Sequence, residues 1–147
     1  MRAPFEIIEH PADVGFRAYG ATLEELFANA ALAMLSLGCA LEGIAEREQR
    51  EVAADGASIE ALLYGWLADI LAAGDAEHLV FRRAEVMQFR LGKADGQTQS
   101  EIGGIAYGEK FDRSRHVAGT YIKAVTYHQL RVEQTPDGWR AQVFLDV

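Results

Sequence analysis

The chain has 147 residues, half of them hydrophobic, with 14 basic against 22 acidic side chains and a formal net charge of −8. That length carries one compact core, so a single domain over residues 1–147 is expected, and no apolar run approaches the roughly 20 residues that span a bilayer. So acidic a surface excludes a grip on phosphate backbones by bulk electrostatics, while it suits divalent cations and basic protein partners.

The N-terminal stretch MRAPFEIIEHPAD meets acids before any long apolar region, which argues against a secretory signal and for a cytoplasmic location. FEIIEH reads as a short strand. VGFRAYG reads as a second, with Phe16 and Ala18 facing away from Arg17 and Tyr19. In ATLEELFANAALAMLSLG, Thr22 and Glu25 make a capping box. Leu23, Leu26, Phe27, Ala30, Met34 and Leu37 form one apolar helical stripe, and Gly38 is expected to stop the helix. The only cysteine, Cys39, follows among apolar neighbours and reads as a buried small hydrophobe. One cysteine makes no internal disulfide, and no Cys/His cluster points to zinc.

REQREVAAD reads as a strand with a charged face. A second helix begins near Ser58, with Ile59, Leu62, Leu63, Trp66, Leu67, Ile70 and Leu71 at helical spacing and Gly74 as its expected end. The stripe is wide enough to lie across a sheet. From residue 79 the period becomes two. Residues 79–112 read as two strands joined across Asp95-Gly96. GTYIKAVTYHQLRVEQ alternates throughout and reads as one long strand, with Thr120, Ile122, Ala124, Thr126, His128, Leu130 and Val132 on one face. TPDG (135–138) is a tight turn, and WRAQVFLDV is a closing strand with Trp139, Ala141, Val143 and Leu145 on one face. About two helices and six or seven strands, with hairpins late in the chain, make an α+β fold: a mostly antiparallel sheet with two main helices packed on one face.

The common enzyme signatures are missing. No phosphate-binding Gly-Lys-Ser/Thr loop, no strand-to-helix dinucleotide glycines and no Gly-x-Ser-x-Gly elbow occur. Of the four histidines, His78 and His116 fall in expected loops or strand ends. His128 lies on the apolar face of a strand and reads as a hydrogen-bonded core residue. His10 either bonds backbone at a strand end or orients the loop that carries Asp13.

Asp13 also has two readings. Its carboxylate can bond its own backbone two residues on, or it can hold a cation. Asp146 stands beside the α-carboxyl group of Val147. If the closing strand lies against the first hairpin, Asp13, Asp146 and Val147 bring three carboxylates together. Such a group repels and desolvates at considerable cost unless a hard cation such as calcium joins it.

Several stretches together resemble one family, archease. HPADVGFRAYGATLEELFANAALAM is similar to that family's opening His-Thr-Ala-Asp-Val/Ile-Gly segment and first helix. KAVTYHQLRV (123–132) and DGWRAQVFLDV (137–147) are similar to its last two strands. The resemblance runs from the first strand to the last residue and is weakest over residues 40–57 and 90–118.

Archeases are accessory proteins of RtcB-type RNA ligases, which join tRNA exon halves and other broken RNA ends. The resemblance therefore implies a protein that performs no catalysis itself. It promotes guanylylation of the ligase and repeated turnover, and it holds calcium or another divalent ion through Asp13, Asp146 and Val147. Strong direct binding of nucleic acid is not expected. Pro11 departs from the family's usual threonine, which removes a hydroxyl and a backbone N–H from the loop. Two other readings remain: a metal-dependent hydrolase using the same aspartates, and a chaperone-like interaction module whose acids serve solubility.

Overall fold

The alternating and helical patterns resolve into an α+β arrangement of two antiparallel sheets. In the computed structural model, which describes residues 3–9, 13–93 and 98–147, the elements run β1 (Phe5–Glu9), β2 (Val14–Gly20), α1 (Leu23–Gly38), β3 (Glu48–Gly56), α2 (Ile59–Glu77), β4 (Leu79–Arg90), β5 (Ser100–Lys110), β6 (Ala124–Val125), β7 (Arg131–Thr135) and β8 (Gly138–Asp146). A short 3₁₀ turn, Leu41–Gly43, joins α1 to the strand that follows. The expected single sheet is two: β1-β2-β8-β6 with β7 also paired to β8, and β3-β5-β4. One buried cluster takes residues from both sheets and both helices, among them Phe16, Phe27, Trp66, Ile102 and Val143.

The helix starts follow from their caps. Thr22 Oγ1 accepts the Glu25 N–H, and Glu25 Oε1 reaches back to accept the Ala21 N–H. Ser58 Oγ accepts the Ala61 N–H in the same way. Replacing Thr22 by alanine is expected to cost about 1 kcal/mol, read as a fall of about 2–4 °C in thermal unfolding followed by circular dichroism.

The helix ends differ from expectation. α1 includes Gly38 and stops at Cys39, whose backbone is extended. Its last carbonyls are answered from elsewhere in the chain: Thr120 N–H donates to Leu37 O and Gly119 N–H to Gly38 O, at 2.8 and 2.9 Å. α2 runs past Gly74 to Glu77 and ends at His78, which takes the left-handed conformation (φ 55°) and donates its N–H to Gly74 O. Gly74 is instead a buried close-packing position, where a Cβ would lie 3.1 Å from the Leu79 carbonyl oxygen. Trp66 ties the layers together. Its ring edge lies over Gly104 of β5, and its Nε1–H donates to Phe27 O of α1 at 3.1 Å.

The expected long strand over residues 119–134 is broken. β6 and β7 share one edge of β8, but the five residues 126–130 stand opposite only two, Val143 and Phe144. Thr126 makes the break: its N–H and its hydroxyl both donate to Phe144 O, and its Oγ1 accepts the His128 N–H. Gln129 then turns left-handed (φ 51°), and its carbonyl accepts from the buried Gln142 side chain. The three extra residues are an odd number, so the inward parity switches: Val125 stands opposite Leu145, and Val132 opposite Ala141. His128 is therefore not a core residue; it is exposed on the bulge, 5.8 Å from the Phe144 ring centre.

Candidate functional site: the β2–β8 strand end

β2 and β8 pair from Gly20–Trp139 to Val14–Leu145. Phe16, Ala18, Ala141, Val143 and Leu145 face the core and are fully buried, which fixes the register, since a slip of one residue would turn all of them outward. Asp13 and Asp146 are the next residues beyond the Val14–Leu145 pair, so the register places both at the same strand end. Asp13 is partly buried and Asp146 exposed. On its other side Asp146 pairs with Ala124, and its carbonyl accepts the Lys123 N–H at 2.8 Å. Val147 is half-buried and packs against the core cluster.

Gly15, two residues in from Asp13, is a position where no side chain fits: a Cβ there would meet the Phe144 ring at 2.6 Å and Val143 O at 2.9 Å. The Gly in the Asp-Val-Gly run thus lets the Phe144 ring cross β2. Among the described residues no group of three or more His, Cys, Asp or Glu side chains is placed to hold a metal ion. At this end stand the Asp13 and Asp146 side chains and main-chain oxygens, with Val147 next in the chain. His10, Pro11 and the Asp95-Gly96 turn lie outside the described residues.

A second polar cluster went unseen in the sequence. Glu109, at the end of β5, has a side chain only 4% exposed. It accepts from Arg115 Nη2 (2.7 Å), Ala45 N–H (2.7 Å) and His116 Nε2 (2.9 Å), with Arg47 3.3 Å away. These partners, the Arg115 guanidinium first, hold its carboxyl group down to about 2. His116 Nδ1 accepts the Asp112 N–H, so its ring proton sits on Nε2 and points at Glu109. Both ring nitrogens are thus occupied by protein partners. The Ser114 hydroxyl and N–H hold the Asp112 carboxyl group below its ordinary range.

The cluster pins the 111–117 loop and the segment after the 3₁₀ turn to β5. The Asp-x-Ser turn was its one sequence signal; the Glu109 contact, made through tertiary packing, had none. Because the folded carboxyl group is depressed, its contribution is full above the ordinary carboxylate range and is lost as pH falls from about 4.5 toward about 2. Glu109→Gln is expected to lower stability at pH 7 and to flatten the acid limb of a urea-denaturation series between pH 4.5 and 2.

Cys39 is buried, 3% exposed, as expected. No helix among the described residues is long and apolar enough to cross a membrane.

The fold is that of an archease-like α+β protein. The solution structure of protein 1598 of Methanobacterium thermoautotrophicum superposes with a TM-score of 0.79 at 30% identity, covering 98% of this chain and 99% of that one. The crystal structure of a Thermotoga maritima protein described as an archease and possible chaperone superposes at 0.57 and 23% identity, over 100% and 98% of the two chains, and shares the fold. The archease of Methanosarcina mazei is 39% identical over 143 residues, spanning 97% of this chain and 95% of its own, and that of Pyrococcus abyssi is 38% identical over 144, spanning 97% and 98%. Residues 5–147 match the model of the Archease protein family (MTH1598/TM1083). The chain belongs to the archease family.

Proposed function

We propose that this protein is a cytoplasmic accessory factor of an RtcB-type RNA ligase in tRNA splicing and RNA repair. It promotes guanylylation of the ligase and repeated turnover, performs no catalysis of its own, and carries a calcium-type ion on Asp13, Asp146 and the Val147 carboxyl group. The observation that carries this reading is the core-fixed β2–β8 register, with Asp13 and Asp146 one residue beyond its last pair. Oxygen donors without a thiol are what calcium selects. Three carboxylates also leave several of its six to eight coordination positions open to water or to a partner's oxygens. The net charge of −8 favours a basic protein partner over bare RNA.

The test is a guanylylation assay of the cognate ligase with this chain at substoichiometric amounts. The expected result is more guanylylated ligase and more ligated ends per ligase molecule. An unchanged ligase defeats the proposal, and phosphoester hydrolysis by the purified chain, lost in Asp13→Ala, replaces it with the hydrolase reading.

A further inference from the structure

β8 is held unequally along its length. On one edge β2 pairs with it from Trp139 to Leu145 and stops one residue short of Asp146. On the other edge β7 reaches only from Gly138 to Gln142. Among the described residues, the main chain of Asp146 is therefore tied by the β6 side alone, through its pairing with Ala124 and through the Lys123 N–H that its carbonyl accepts at 2.8 Å. A penultimate residue with an exposed side chain frays unless its backbone is held in this way.

β6 has only two residues, below the usual length of a strand, so its flanks must hold it in place. Upstream, Gly119 and Thr120 donate to the last carbonyls of α1, and Ile122 is buried in the core, as is Val125 of β6 itself. Downstream, the anchor is Thr126. Its N–H and its hydroxyl both donate to Phe144 O, at 3.2 and 2.9 Å, and its Oγ1 accepts the His128 N–H at 3.3 Å. The hydroxyl thus fastens the segment to β8 on one side and caps an amide of the departing bulge on the other. Serine carries the same hydroxyl and can make both bonds. Valine keeps the shape and the backbone N–H and can make neither.

We infer that Thr126 is a positioning residue for the Asp146 carboxylate: its hydroxyl locks the strap of residues 123–126 onto the end of β8, and the strap fixes where that carboxylate stands. Thr126 acts through Asp146 and is not itself a ligand, since its side chain bonds only backbone. The inference takes the ion at Asp146 from the proposed function, while the hold of the strap on Asp146 belongs to the chain alone.

Amide exchange reads the strap with no ion present. In the metal-free chain, Thr126→Val is expected to speed exchange of the Lys123 amide about tenfold more than that of Leu67, a fully buried residue of α2, and Thr126→Ser to change neither. Calorimetric titration with calcium chloride reads the placement of the carboxylate. Thr126→Val is expected to weaken calcium about tenfold, and Thr126→Ser to stay within about twofold of the wild type.

A residue that only stabilised the fold would speed Lys123 and Leu67 by the same factor and leave calcium affinity intact, and that result overturns the inference. Faster exchange at Lys123 with unchanged calcium affinity overturns it too. So does an equal loss in the serine and valine variants, which traces the effect to packing rather than to the hydroxyl. If the wild-type chain binds no calcium, the ion of the proposed function falls, and Lys123 exchange decides the strap by itself: faster in the valine variant upholds it, unchanged overturns it.

Discussion

Asp13→Asn is expected to abolish activation of the ligase while leaving the protein folded. The prediction rests on the ion proposed for the strand end. Calcium bound there at a hundred times its dissociation constant would add about 2.7 kcal/mol to the stability of the wild-type protein. For a domain of this size that is a rise of about 5–10 °C in the thermal midpoint. Removing one of two side-chain carboxylates weakens the ion at least tenfold and erases most of that rise. The sign in the absence of calcium separates the two readings of Asp13. If the residue serves the ion, asparagine relieves repulsion with Asp146, and the metal-free variant melts no lower than wild type. If Asp13 only closes a turn on its own backbone, calcium has no effect on either protein. Asp146→Asn should behave as Asp13→Asn does. Full ligase activation by both variants would sink the metal proposal and leave the chaperone-like module.

Trp66→Ala is expected to be the most destabilising single truncation of the core, at about 3–5 kcal/mol, against a total stability of about 5–15 kcal/mol. Trp66 is the largest fully buried side chain. It covers Gly104 on the three-stranded sheet, and its indole N–H satisfies the Phe27 carbonyl of α1. Alanine leaves a cavity and removes the indole's hydrogen bond to the Phe27 carbonyl, which keeps its place in the helix ladder. Trp66→Phe keeps most of the volume and loses only the hydrogen bond, at about 1–2 kcal/mol. Urea denaturation of both variants reads the difference. A cost below about 1 kcal/mol for alanine would mean that the two sheets do not depend on this contact.

A sequence reading is sufficient where a rule is local. Thr22 and Ser58 cap their helices, β2 and β8 turn Phe16, Ala18, Ala141, Val143 and Leu145 inward, and Pro136-Asp137 closes the β7–β8 hairpin. It failed where distant backbone supplied the missing partner. Gly38 did not need to end α1 in a left-handed turn, because Gly119 and Thr120 answer the last carbonyls. Gly74 was needed for closeness to Leu79, and His78 took the left-handed end instead.

The alternation over 119–134 was real in composition and misleading in space. Three extra residues at Thr126–Leu130 shift the parity, and the register with β8 that exposes them is invisible in one strand's sequence. The same limit applies to the candidate site. Asp13 and Asp146 could be singled out as residues, but their meeting depended on which strand β2 chose as a neighbour. The bulge contacts of Gln142 and the Glu109 cluster had no such precursor.

The pairing of β2 with β8 also sets an order of events. Arg17 and Gln142 are bonded across 125 positions of the chain, so the five-stranded sheet has a high contact order and a costly loop to close. On the ribosome, the β1–β2 hairpin emerges with its inner edge unmatched and waits until β8 has been made. The α2–β3–β4–β5 half has what it needs far sooner. The carboxylate end is therefore the last region to mature, and a nascent chain halted short of β8 would present a bare strand edge rather than a partly working protein.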